Sequence, residues 1–319
     1  MDNFALKMMD AARNSAHLSP HPTNKIAAAL WHSDYSDKAI IKTNEWPAKI
    51  LEHFTADQQI GNSSGTMHAE TNAIINATFP TDGASICITD PFCPNCAKNI
   101  AEAGIKNIYI DEAGFDGDFF KRRGGEFESM SMKIAQNAGI NVYAIDKKSQ
   151  KIRTILNIDS DYVPPIDSPL EIEQITNHTE GTFQEIISSA TKKHQQRKVS
   201  IAFVTDNDGN YLCLTSRAHV VVGYTMYDPE EALTLLTPIG KYSFIQEPVN
   251  RMLMNISKYG YELNRDFFFC SQVPTSREQV NLVGAKISRI TVGNIQKCRD
   301  RFGLKAMEML SSTKILSYT

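Results

Sequence analysis

Residues 66–97 constrain this chain more than any other stretch. They open with Met67-His68-Ala69-Glu70 and close with Pro91-Phe92-Cys93-Pro94-Asn95-Cys96. Between these lie a turn, Phe79-Pro80-Thr81-Asp82-Gly83, and an apolar run, Ala84-Ser85-Ile86-Cys87-Ile88-Thr89. The pattern reads as helix start, turn, strand, helix start. One histidine and two cysteines offer three metal ligands. A catalytic zinc takes three protein ligands and leaves its fourth position to water. The metal draws the pKa of that water toward neutrality, so hydroxide becomes available. In His-x-Glu the two side chains leave the backbone in different directions. His68 can therefore hold the metal while Glu70 faces the open position and moves protons. Cys93 and Cys96 fall at an expected helix N-terminus, where free N–H groups and the helix dipole favour thiolates.

Two blander readings compete. A lone Cys-x-x-Cys is often a redox pair or half of a structural zinc site. A redox pair has no need of His-x-Glu upstream. A structural site needs four protein ligands, and the chain has no second Cys-x-x-Cys. His53 stands in a polar region without a companion ligand. The catalytic metal reading takes His68, Cys93 and Cys96 as zinc ligands and Glu70 as the catalytic carboxylate.

These residues resemble the zinc-dependent cytidine deaminase family, whose signature is His-x-Glu followed by Pro-Cys-x-x-Cys. The run His68-Ala69-Glu70-Thr71-Asn72-Ala73-Ile74 looks like the deoxycytidylate deaminase branch, as does Cys96-Ala97-Lys98-Asn99-Ile100 with Gly104-Ile105 after it. In one departure, Phe92 stands between Pro91 and Cys93, and Pro94 follows. The similarity covers roughly residues 20 to 145. In the family a hairpin ends in Gly-x-Asn that contacts the substrate sugar. Thr43-Asn44-Glu45-Trp46-Pro47 looks like that place. The resemblance thus implies Asn44 and Ala69 as substrate contacts, although Asn44 also suits a simple turn before Pro47.

Composition narrows the setting. With 319 residues the chain suits two α/β domains. Apolar residues make up 42% and charged residues 22%, as in soluble globular proteins. A net charge of −3 offers no bulk attraction to nucleic acid or anionic membrane. No apolar run is long enough to span a bilayer. The N-terminus, Met1-Asp2-Asn3-Phe4, lacks the pattern of a secretory signal. Six cysteines in this length make no disulfide scaffold, so a reducing cytoplasm is expected.

The remaining chain reads as α/β. Residues 4–15 form an opening helix, 26–31 a strand, 34–37 a turn and 39–41 the returning strand. Residues 48–65 are a polar loop flanking the site. A helix ends at Gly104, a strand covers 105–110, a glycine-rich charged connection covers 114–125, a helix 130–137 and a strand 141–145. Residues 146–181, with Pro164-Pro165 and Pro169, are a linker with short structure at most. The second half repeats the apolar order of the first. Residues 24–31 align with 197–204, and 105–110 with 287–292. Gln246, Thr275 and Glu278 fall where His68, Cys93 and Cys96 stand, so this half should hold no metal.

The expectation is two cytidine-deaminase-like three-layer α-β-α sandwich domains in tandem. Residues 1–146 are the catalytic zinc domain, 147–180 the linker and 181–319 a degenerate pseudo-domain. The resemblance implies Zn2+ as cofactor, a homodimer, and hydrolytic removal of the exocyclic amine from a cytosine-type nucleoside or nucleotide. Other bases and the aminopyrimidine of riboflavin synthesis are alternative substrates. A non-enzymatic regulator is disfavoured by the intact Glu70. A polynucleotide deaminase is disfavoured by the charge, since nucleic-acid affinity comes largely from Lys and Arg neutralising phosphates.

Overall fold

The computed structural model describes residues 2–35, 37–55, 58–195, 197–239 and 242–319. Ser36, in the expected hairpin turn, and Ala56 and Asp57, in the expected polar loop, lie outside the described residues. The first half runs α1 (Asp2–Ser15), β1 (Ala27–Trp31), β2 (Ala39–Thr43), α2 (Ala48–Leu51), α3 (Ala69–Ile75), β3 (Ser85–Ile88), α4 (Pro94–Glu102), β4 (Asn107–Asp111), α5 (Asp118–Glu126), α6 (Met132–Asn137), β5 (Asn141–Ile145) and β6 (Ile152–Leu156). The second runs β7 (Leu170–Gln174), α7 (Glu180–Lys193), β8 (Val199–Thr205), β9 (Tyr211–Arg217), β10 (His219–Val220), α8 (Pro229–Leu236), β11 (Ile245–Gln246), α9 (Pro248–Tyr259), β12 (Glu262–Cys270), α10 (Ser276–Gly284), β13 (Arg289–Val292), α11 (Arg301–Ser312) and β14 (Ser317–Tyr318). Among the described residues no helix is long and apolar enough to cross a membrane.

Two six-stranded mixed sheets carry the chain. Their orders are β2-β1-β3-β4-β5-β6 and β14-β13-β12-β8-β9-β7. Five strands of each sheet follow one plan. In the first, β1 pairs antiparallel with β2 and β3, and β3, β4 and β5 run parallel. In the second, β8 pairs antiparallel with β9 and β12, and β12, β13 and β14 run parallel.

The first sheet is covered on both faces, which is why β1 is buried along its whole length. On one face, Ala5, Met8, Met9 and Ala12 of α1 pack against Ala27, Ala29, Trp31, Cys87, Tyr109 and Ile145. These α1 residues recur at helical spacing, and the strand residues at period two. Cys87 belongs to this core, and its thiol reaches the carbonyl of Ala5 at 3.4 Å. Helix α4 packs between α3 and α6, and α3 and α6 pack on the strands. In the second sheet, Phe183 and Ala190 of α7 pack on Val199, Ile201, Phe203, Cys213 and Phe269.

Three expectations need correction. The stretch 147–180 is not plain linker, since β6 pairs with β5 and β7 with β9, each adding an edge strand. The charged connection at 114–125 is largely helix, α5, whose Phe120 packs on Phe127 at 5.7 Å. Gly124 lies against the ring of Phe120, where a side chain would crowd it. The compact units also differ from a simple division of the chain. One unit comprises Met1–Glu45, His68–Asp167 and Val220–Gln246; the other comprises Trp46–Met67, Ser168–His219 and Glu247–Thr319. Residues 48–65, expected to flank the metal site, therefore belong to the second unit. There the Arg277 guanidinium donates to the carbonyl of Thr66. Gly61, at φ +64°, lies so close to the Phe302 carbonyl and Ser276 that no side chain fits.

Candidate metal centre

The ligands stand at two helix starts. His68 is the N-cap of α3, and Cys93 is the N-cap of α4. Pro94 takes the first helical position, where its missing N–H costs nothing and its fixed φ suits the helix. Cys96 follows one turn in. His68 Nδ1 lies 3.2 Å from Cys96 Sγ and 3.6 Å from Cys93 Sγ. All three ligand atoms fall within 4.8 Å of one another. One imidazole nitrogen and two sulfurs so placed fit three corners of a tetrahedron with one left open. Among the described residues no other His, Cys, Asp or Glu trio gathers this closely. His53 is exposed and stands apart from the trio.

Glu70 lies beside this trio, 4% exposed. Burial raises its carboxyl pKa, and the neighbouring His68 partly offsets the rise. A carboxyl raised by desolvation takes up a proton more readily than an exposed one. Cys96 hydrogen-bonds toward Cys93 and holds that thiol well below the ordinary range, while burial pushes Cys96 up. Asp90 is pushed up to about 7 by burial first, then by Glu70 and Asp111. His21 is held below the usual imidazole value by burial and then by His68. Its Nδ1 accepts the N–H of Asn24 at 3.0 Å.

The residue that departs from the signature has a packing role. Phe92 is 1% exposed and meets Phe127 edge-on at 5.3 Å. Phe127 opens a π-helical turn, 127–131, and also meets Phe115 and Phe120. The longer loop is thus pinned by an aromatic cluster, and the cysteines keep their helical spacing.

Asn44 is 5% exposed, and its amide ties the chain around β1 and β2. Its Oδ1 accepts the Ile26 N–H at 2.8 Å and lies 2.7 Å from Ser19 Oγ, while Nδ2 donates to the Asn24 carbonyl at 2.7 Å. Ala69 is the first residue of α3 and fully buried. Sequence reading missed Asp90, His21 and a polar link behind the ligands, in which Asn99 Nδ2 donates to Thr71 Oγ1 at 2.9 Å. Asn99 and Thr71 are both polar residues buried in the two ligand-bearing helices.

Residues 2–112 match the cytidine and deoxycytidylate deaminase zinc-binding region. The N-terminal region of this chain belongs to that family. Its zinc site is the trio of His68, Cys93 and Cys96. An uncharacterized deaminase from the luxG 3' region of Aliivibrio fischeri is 27% identical over 142 residues, 44% of this chain and 93% of that protein. The deoxycytidylate deaminase of Enterobacteria phage T4 is 35% identical over 101 residues, 31% of this chain and 47% of that protein. Among solved structures, the dCMP deaminase from cyanophage S-TIM5 in complex with dCMP and dUMP is similar at 19% identity. That likeness covers 45% of this chain and 97% of the other, with a TM-score of 0.34.

The corresponding helix starts of the second unit carry other chemistry. By helix position, the N-cap of α9 matches His68, the N-cap of α10 matches Cys93, and the third residue of α10 matches Cys96. These are Glu247, Thr275 and Glu278. The sequence alignment is off by one at the first position. Pro248 opens α9, so Glu247 and not Gln246 is the N-cap. Lys198 and Arg299 hold the Glu247 carboxylate at 3.3 and 3.0 Å. Glu278 forms a capping box with Thr275 and accepts the Val249 N–H at 2.9 Å. These groups line a cavity of about 10 Å³, the size of a single water.

Proposed function

We propose that this chain is a zinc-dependent hydrolytic deaminase that converts a cytosine-type nucleoside or nucleotide to the uracil form with release of ammonia. The observation that carries the reading is Glu70, a buried carboxyl beside three metal ligands. A purely structural zinc would have no use for it. The deoxycytidylate deaminase identity of the T4 relative favours this substrate class.

When bound, zinc supplies a water of lowered pKa. His68, Cys93 and Cys96 would hold the metal. Glu70 takes a proton from the attacking water and delivers it to the ring nitrogen N3. With the water oxygen bonded to C4, Glu70 takes the second proton from that new hydroxyl and passes it to the amine; the C4–N bond breaks, ammonia leaves, the C4 carbonyl forms and the first proton remains on N3. Burial suits Glu70 to both tasks, because it weakens the carboxyl's preference for the charged form. Asn44 and Ala69 are proposed to contact the substrate. For Asn44 this leaves the second Nδ2 proton as the available donor.

We further propose that the second half is a degenerate copy of the first, kept without its chemistry, and that the chain assembles as a homodimer. The common strand plan of the two sheets supports the duplication. The test of the function is ammonia release from cytosine, cytidine, deoxycytidine and their monophosphates. Glu70→Gln should keep zinc and lose about 10²–10⁴-fold in kcat. Turnover near the wild-type level in that variant, or no release from any of these substrates by the zinc-loaded chain, overturns the reading.

A further inference from the structure

One face of α4 carries Lys98, Asn99 and Glu102, with Glu102 four and three residues beyond the other two and so beside both on the helix. Such residues normally face water, yet they are 5%, 4% and 3% exposed. Each finds a partner in the segment Val220–Gln246, which belongs to the same compact unit. Lys98 Nζ donates to the Ile245 carbonyl at 2.7 Å. Gln246 Nε2 donates to Asn99 Oδ1 at 2.7 Å. The Val222 N–H donates to Glu102 Oε1 at 3.3 Å.

The middle contact continues inward. Asn99 Nδ2 donates to Thr71 Oγ1 at 2.9 Å. Thr71 follows Glu70 on α3, and Asn99 lies three residues beyond Cys96 on α4. The link therefore ties α3 to α4 close behind the ligand trio and the catalytic carboxyl. A buried amide must turn its oxygen to a donor and its NH₂ to an acceptor. Gln246, itself 1% exposed, fixes that choice for Asn99.

We infer that Gln246 is a positioning residue for the metal site, acting through Asn99 and Thr71 on the helices that carry His68, Glu70, Cys93 and Cys96. The inference rests on the deaminase reading for its catalytic consequence, but its geometric content does not. Without the Gln246 donor, Asn99 Oδ1 is buried and unpaired. The amide then turns or withdraws, Thr71 loses its donor, and α3 and α4 are free to shift. A displacement of about 1 Å is enough to slow a reaction that needs aligned groups by up to about 10²-fold.

The test uses the full chain with Co²⁺ in place of zinc, since thiolate-to-cobalt and d–d bands report ligand geometry without any substrate. Gln246→Leu removes the donor and shortens the side chain; Gln246→Met keeps the length and removes the donor without adding a charge. In both, the bands should shift, chelator competition should show weaker metal binding, and kcat of the zinc form should fall about tenfold. KM should stay within about twofold, because Gln246 touches no substrate. Unchanged bands and kcat in both variants overturn the inference, as does a raised KM with kcat intact. If neither variant folds, Thr71→Val removes the acceptor at the other end and must reproduce the band shift; unchanged bands there overturn the inference equally. A band shift in a chain that deaminates none of the panel would keep the positioning role and remove the deaminase reading.

Discussion

At the scale of one residue, Glu278 holds the third position of α10, as Cys96 holds the third position of α4. Its carboxyl accepts from Thr275 and Val249 and is pushed up to about 7, by burial first and by Glu247 second. The ordinary value is 4.5. The folded chain therefore holds a proton that the unfolded chain releases near 4.5. This contribution to stability is full below the lower value and is lost as pH rises toward the upper one. Thermal melts of the wild type should lose stability from about pH 5 to about 7.5 more steeply than those of Glu278→Gln. Equal slopes in the two proteins would dismiss this assignment. Phe92 offers a second check. Its ring is 1% exposed against Phe127, so Phe92→Ala should cost about 3–5 kcal/mol in denaturant unfolding. At this scale the ligands His68, Cys93 and Cys96 were legible, because their spacing is local. The Asn99–Gln246 bond was not, because 147 residues separate its ends.

Among the elements, the helix ends are the most sensitive points. Gly104 has φ +71°, and a side chain there would collide with Asp82. Gly104→Ala should destabilise the chain by more than about 1 kcal/mol, measured by urea unfolding. The capping box of α10 is the second unit's counterpart. Thr275→Ala should cost about 1 kcal/mol, with a range of about 0.5–2. The strands and helices around the metal site followed their sequence patterns to within a few residues, because β1 and β3 are short apolar runs between clear turns. Elsewhere the signals conflicted. Pro164-Pro165 and the surrounding acids hid β6 and β7, although Leu170 and Ile172 alternate with Glu171 and Glu173 as a strand should. Gly124-Gly125 spoke against α5, but Phe120, Phe127 and Phe115 supply a cluster that outweighs helix propensity.

At the scale of the molecule, the composition of the compact units matters most. A fragment ending before Gly181 lacks Val220–Gln246, so Lys98, Asn99 and Glu102 lose their bonds to that segment. Such a fragment should bind zinc more weakly than the full chain and tend to aggregate, read by chelator competition and light scattering. A soluble fragment with full zinc affinity would remove the structural role assigned to that segment. The expected homodimer would sediment at twice the 35.6 kDa chain mass.

The return of Val220–Gln246 to the first unit also sets a timetable. On the ribosome, Asn99 emerges 147 residues before Gln246. At about 5–20 residues per second, α4 waits roughly 7–30 s for its cover. During that interval the nascent deaminase region holds its three metal ligands but not the bond that orients Asn99. Metal capture on the growing chain would thus precede the final setting of the ligand helices, and translation speed through the second half would govern how long the half-finished centre is exposed.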